Sequence, residues 1–217
     1  MPSKTFLNLP KEKRESFIQV SLKEFSENNF ETASVNRIIK ELGISRGSVY
    51  QYFTDKLGLW LYLKEHAEKT KMENVQSVNR EDFDTFWDYY RELYIKGADF
   101  DLLNPLCSKF LYKIAYQESS KEVRKYINNW KIQADQQFRE WVQYEQSNGS
   151  FNSDISLDMI VHFMITISTS LVELLQNKFL VDFDQHIKND KSILADNISA
   201  YSKAVDEIVS LLSKALK

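Results

Sequence analysis

Hydrophobic positions recur at three- and four-residue steps almost from the start of the chain, the signature of helices with one buried face. Phe17, Ile18, Leu22 and Phe25 form one such stripe, opposed by lysines and glutamates. It predicts a helix over residues 10–29, stopped at Asn28-Asn29. Val35, Ile38, Ile39 and Leu42 form a second stripe behind a capping Thr32 or Ser34. Gly43 follows its last member, where a C′ glycine belongs. Ser45 is placed to cap a third, short helix, Arg46–Phe53. Thr54 or Asp55 caps a fourth, which carries Leu57, Leu59, Trp60, Leu61 and Leu63 and turns polar from Lys64 to about Val78.

The remaining two-thirds continues as helices. Phe83, Phe86, Trp87, Tyr90 and Tyr94 make a stripe that Gly97 is expected to end. Asn104-Pro105 opens the next helix by cap and N1 proline, with Leu106, Phe110, Leu111 and Ile114 inside. Ser119-x-x-Glu122 reads as a capping box for a long helix burying Val123, Ile127, Trp130, Ala134, Phe138, Trp141 and Val142, closed at Asn148-Gly149. Residues 157–180 are apolar almost all round, which calls for burial on more than one side. In the last helix, about 192–216, Leu194, Ile198, Tyr201, Val205, Ile208, Leu212 and Ala215 alternate steps of four and three, the seam of shallow-angle helix packing.

Short helices joined by a Gly-containing turn are the helix-turn-helix arrangement, whose second helix enters a major groove. The third helix is too short to be stable alone. Val49 and Phe53, four apart, anchor it, which leaves Arg46, Gly47, Ser48, Gln51 and Tyr52 on the outer arc. Tyr50, Tyr52 and Lys56 suit phosphates; Ser45, Arg46, Gly47, Ser48 and Gln51 suit base edges or close backbone approach.

The stretch from Thr32 to Leu59 resembles the N-terminal signature of TetR-type transcriptional regulators. The resemblance is carried by the hydroxyl residue before Val35, by Ile38, Gly43-Ile44-Ser45, Gly47, Tyr50-x-Tyr52-Phe53, Lys56 and Leu59. It implies an all-α homodimer: an N-terminal helix-turn-helix DNA-binding domain over residues 1–60, and a larger helical effector-binding and dimerisation domain over 61–217, about nine helices in all. Thr32 and Ser34 join the expected DNA contacts. The expected partners are a palindromic double-stranded DNA operator, a second copy of the chain and a small apolar or aromatic effector.

Composition narrows this further. The chain has 217 residues, five glycines and three prolines, which favours long helices over hairpins. Its net charge of −3 hides an asymmetry: residues 1–71 carry 12 Lys/Arg against 9 Asp/Glu, and residues 72–217 carry 16 against 22. A basic end suits a polyanion only where those cations share a face. Cys107 is the one cysteine, so no internal disulfide forms and a reducing compartment fits. The N-terminus lacks the apolar stretch of a signal peptide. The longest strongly apolar run without charge, Met159–Val172, is 14 residues and holds His162 and four Ser/Thr, too short and polar to span a bilayer. The expected location is the cytoplasm, with no membrane partner.

Candidate chemistry is sparse. Aromatics on the middle helices, among them Tyr90, Tyr94, Phe110, Tyr112, Tyr116, Trp130, Phe138, Phe163 and Phe179, could line an apolar cavity or be plain core. His162 and Glu173, set in an apolar helix, are its polar candidates. A four-helix bundle between two copies would use Leu171 and Leu175 with Tyr201, Val205, Ile208 and Leu212. His66, His162 and His186 are far apart and Cys107 has no histidine nearby, so no metal, no cofactor and no enzymatic activity are expected. Two other readings stay open: a DNA-binding factor without an effector, and a helical enzyme.

Overall fold

The computed structural model describes residues 1–189 and 191–217, and among these it is helical without strands. The elements are α1 (Lys4–Leu7), α2 (Lys11–Glu27), α3 (Val35–Leu42), α4 (Arg46–Tyr52), α5 (Lys56–Val75), a 3-10 turn (Arg80–Asp82), α6 (Phe86–Leu103), α7 (Pro105–Tyr112) running into a π turn (Lys113–Gln117), α8 (Lys121–Ser147), α9 (Leu157–Phe179), α10 (Phe183–Lys188) and α11 (Ile198–Ala215). They form two compact units. One holds residues 1–73, 100–127 and 186–193; the other holds 74–99, 128–185 and 194–217.

The first unit is built on two aromatic nodes. In one, Phe6 packs against Phe17, Phe53 and Tyr62, with centroids 5.4, 4.9 and 5.3 Å away. In the other, Phe110 of α7 meets Phe25 of α2 at 6.4 Å and Trp60 of α5 at 6.0 Å, so α2 contributes to both nodes, through Phe17 and Phe25. Phe6, Leu22, Phe25, Ile38, Phe53, Leu59, Trp60, Leu63 and Phe110 are all buried. Asp101, also buried, accepts from the Ser192 hydroxyl and from Ile193 N–H at 3.2 Å, which fixes residues 192–193 to this unit.

The second unit packs α9 against α11. Leu171, Leu175, Tyr201, Val205, Ile208 and Leu212, expected to meet a second copy, are all buried inside the unit itself. Within the chain, α11 meets α9 along this seam. The face of α9 left exposed carries Met159, His162, Phe163, Thr166, Thr169 and Glu173, so the expected burial all round is not met within one chain. Glu145, nearly inaccessible, forms a forked ion pair with Arg80 at 2.7 and 3.2 Å that ties the 3-10 turn to α8.

Three other expectations shift, and one element is new. Gly97 does not end α6, which runs to Leu103 because Ala98 and Phe100 beyond it are buried. It stops where Asn104, ahead of Pro105, leaves helical geometry (φ −132°, ψ 58°). Ser119 is not the expected cap: its hydroxyl accepts from Asn29 at 3.3 Å, and α8 starts at Lys121. The last helix starts at Ile198 rather than near 192, after a turn in which Asp196 takes φ 65°. The sequence pattern contains no hint of α1.

Candidate nucleic-acid interface

The interface is built from a buried carboxylate outward. Glu24, on the inner face of α2, accepts Ser34 N–H at 2.7 Å, the Arg37 Nε at 2.9 Å and Asn28 Nδ2 at 3.3 Å. Arg37 spans on to the Thr32 carbonyl at 2.9 Å. Ser34 occupies the N-cap of α3 but its own hydroxyl makes no capping bond. Glu24 instead holds the Ser34 backbone N–H from ten residues away, and the carboxylate suits the positive end of the helix dipole. The Glu24 hydrogen bond also pushes the Arg37 guanidinium above its usual range, so it stays charged. Thr32 lies exposed and Ser34 half-buried at this start.

The turn is closed by Gly43 at φ 62°, with Ile44 N–H reaching back to the Ile39 carbonyl at 3.3 Å. That left-handed bend is strained for any residue with a Cβ. Ser45 then caps α4, accepting Ser48 N–H at 3.1 Å. Val49 and Phe53 are buried and set the roll of α4, as the four-residue spacing requires. Ser45, Arg46, Gly47, Tyr50 and Gln51 are exposed together, with Ser48 half-buried. The Arg46 guanidinium lies 5.7 Å over the Tyr50 ring. A Cβ added at Gly47 would meet only Ser45 Oγ, at 3.7 Å, so nothing inside the protein demands a glycine there.

Two expected contacts are placed differently. Tyr52 is half-buried, its ring 5.7 Å from Phe6 and 5.6 Å from Phe17, and its carbonyl accepts Ser3 N–H at 2.9 Å. Lys56 does not reach outward. Its ammonium donates to the carbonyls of Phe30, Glu31 and Ala33 at 2.6, 3.3 and 3.2 Å, and lies 4.6 Å from the Phe30 centroid. Its three donors are therefore engaged by the α2–α3 loop. Asp55, not Lys56, meets the N-terminus of α5, accepting Gly58 N–H at 2.7 Å.

The residues expected to bind an effector do not gather as one set. Tyr90, Tyr94 and Phe138 do come together with Trp141, at centroid distances of 5.2–6.3 Å. The Tyr90 hydroxyl bonds Ser168 at 2.6 Å and Tyr94 at 3.2 Å, and Tyr201 donates to the Tyr94 carbonyl at 3.1 Å. Burial pushes the Tyr90 phenol well above its ordinary range, so it stays neutral. Trp130 is half-buried in the same unit, whereas Phe110 belongs to the core of the first. His162 and Glu173 stand on the exposed face of α9. A cleft of about 410 Å³ in the first unit is lined by Gln19, Lys23, Cys107, Lys109 and residues 103–106, and by none of the expected ligand residues. Among the described residues no three His, Cys, Asp or Glu side chains group to hold a metal ion.

Glu24, Arg37 and Phe6 are the organising residues that sequence reasoning missed. Glu24 had a legible signal: it falls on the same helical face as Phe17 and Ser21, at i+7 and i+3, where a carboxylate needs a partner.

A short helix seated by two apolar side chains, preceded by a glycine turn and a helix fixed at its start, is a helix-turn-helix. Residues 17–63 match the family model for bacterial regulatory proteins of the tetR family. The family likeness is thus carried by the helix-turn-helix segment. A crystal structure of a TetR family transcriptional regulator from Chloroflexus aurantiacus J-10-FL is 27% identical, covers 100% of this chain and 98% of that one, and superposes with a TM-score of 0.78. An HTH-type transcriptional regulator of Staphylococcus aureus strain USA300 is 43% identical over 53 residues, 24% of this chain and 29% of that protein. Another, from the bovine strain RF122, is 31% identical over 92 residues, 42% and 46% of the two chains. The chain thus matches less than half the length of these curated relatives.

Proposed function

We propose that the protein is a cytoplasmic transcriptional repressor that binds a palindromic DNA operator as a homodimer and is released by a small apolar or aromatic effector. The observation that carries the DNA-binding part is the outer face of α4. Arg46, Gly47, Tyr50 and Gln51 are exposed side by side on a helix whose roll is fixed from within, and Gly47 leaves room for a sugar-phosphate backbone to approach. Arg46 and Gln51 are of the types that read base edges; Tyr50 and Ser45 can donate to phosphates. Tyr52 contributes at most its hydroxyl edge, and Lys56 acts by holding the α2–α3 loop in place. Thr32 and Ser34 flank the start of α3, where a second phosphate would sit.

The exposed α9 face supports the homodimer. This 23-residue helix is long and apolar enough by composition to cross a membrane, and most of its apolar window is unburied within one chain. His162, Thr166, Thr169 and Glu173 break that face with polar groups, which suits a second protein copy better than lipid. The tyrosine cluster around Tyr90 supports the effector: apolar walls with a few convergent hydroxyls are what such ligands meet. Ligand would shift the balance between two arrangements of the helices, moving α5 and with it the spacing of the two α4 helices.

The test is selection of bound duplexes from random-sequence DNA by the intact chain. A palindrome with half-sites about one helical turn apart is expected; no enrichment over input rejects the reading. Thermal-shift screening with apolar and aromatic compounds separates the effector-responsive repressor from a factor that only binds DNA, since a ligand that binds the folded state raises its melting temperature.

A further inference from the structure

The α2–α3 loop is gripped from two sides within the first unit. Lys56 takes its carbonyls. Its amides are taken by the segment after α7: Glu118 Oε2 accepts Phe30 N–H at 2.8 Å, and Ser120 Oγ accepts Glu31 N–H at 3.1 Å. The other Glu118 oxygen accepts Ser120 N–H at 2.9 Å, so one carboxylate braces both halves of the grip. These partners lie nearly ninety positions apart in sequence. The loop they hold is the one that delivers Ser34 to the start of α3, and Phe30 within it stacks on Phe25 at 6.4 Å and meets Trp60 at 6.3 Å.

The segment that supplies Glu118 has a conformational option. α7 ends in the π turn Lys113–Gln117, closed by Glu118 N–H on the Lys113 carbonyl at 2.8 Å. Such turns are rare and concentrate at functional sites. Tightening one to α geometry removes a residue from the turn and swings the chain beyond it by about 100° round the helix axis. Glu118 sits directly after it, so a change at the end of α7 moves the carboxylate off the loop amides.

We infer that Glu118, seconded by Ser120, is a positioning residue for DNA reading: it ties the end of α7 to the loop that aims α3 and α4. The inference rests on the proposed DNA-binding function. The carboxylate itself touches no DNA and acts only through the loop.

The sign of its effect separates this role from a bystander's. Removing a negative charge from a DNA-binding protein raises affinity on electrostatic grounds alone, whereas removing a positioning clamp lowers it. The experiment compares wild type, Glu118→Ala and Glu118→Gln, as full-length chains, on the duplex that the wild type selects from random DNA. Active fraction and helix content are checked for each, and amide hydrogen exchange is followed without DNA. Glu118→Ala is expected to lose affinity tenfold or more with an unchanged salt slope, and to speed exchange at Phe30, Glu31 and the first turn of α3. Glu118→Gln should fall between, since its amide keeps one acceptor for Phe30 but turns a donor toward Ser120 N–H. Affinity equal to or above wild type in Glu118→Ala overturns the inference, even if exchange at the loop rises. Unchanged exchange at Phe30 and Glu31 overturns it on its own. A wild-type chain that selects no duplex overturns the DNA reading instead, and the exchange experiment then still judges the clamp.

Discussion

A glycine in the exposed first turn of a seven-residue helix works against the helix it sits in. A Cβ at Gly47 would make only an ordinary contact with Ser45 Oγ at 3.7 Å, so Gly47→Ala should stabilise the domain, by up to about 1 kcal/mol, while weakening DNA binding. Thermal melting and fluorescence anisotropy on the selected duplex would read the two effects; a tighter complex would show that nothing approaches this position. Lys56 carries a different expectation from the one its sequence position suggests. With its ammonium spent on three carbonyls, Lys56→Ala should cost stability, about 1–3 kcal/mol, and leave the salt slope of DNA binding unchanged. A slope reduced by about one would return it to the phosphates. Cys107 is buried, and burial pushes its thiol up to about 11. Alkylation at pH 8 should therefore be slow in the native chain and fast in urea, because the thiolate is the nucleophile. At this scale the sequence showed which residues carry chemistry but not where they spend it: a lysine after a cap looks the same whether it meets a phosphate or a loop.

Helix α4 is a dependent element. It owes its roll to Val49 and Phe53, its start to Ser45 and its far end to α1, through Ser3 on the Tyr52 carbonyl and Phe6 against Phe53. Phe6→Ala should destabilise by about 3–5 kcal/mol in urea unfolding, an effect out of proportion to the length of α1. A loss under 1 kcal/mol would mean the aromatic node holds without it. The four helices around the turn were legible because each has a stripe, a cap or a glycine stop. α1 was not, because four residues with one buried side chain make no period. Gly97 misled for the opposite reason: a breaker is a local signal, and the buried residues on both sides of it outweighed the roughly 1 kcal/mol it costs. The capping box at Ser119 failed to a long-range competitor, the α2–α3 loop, which no local pattern contains.

For the whole molecule, the question is what covers α9. The seam on α11 packs against α9 of the same chain. Heptad spacing states that a helix has a partner, not whether that partner lies in the same chain. The consequence is a changed choice of mutant. Ile208→Asp places a charge in the core of the second unit and should unfold it. Met159→Asp with Phe163→Asp alters only the exposed stripe, and should give folded monomers in sedimentation velocity. A dimer that survives the pair would move the contact to another face. Of the aromatics expected to line an effector cavity, Tyr90, Tyr94 and Phe138 meet, whereas aromatic spacing could not tell that Phe110 joins the core of the other unit.

The docking of α1 also bears on how the protein is handled in the laboratory. The Ser3 amide sits against the last carbonyl of α4, so any purification tag fused ahead of it emerges beside the surface that would face a duplex. A polyhistidine leader there brings cations to that spot and can imitate affinity that belongs to the tag. Equilibrium measurements call for the leader to be cleaved, or for the fusion to be placed after Lys217, which is solvent-exposed.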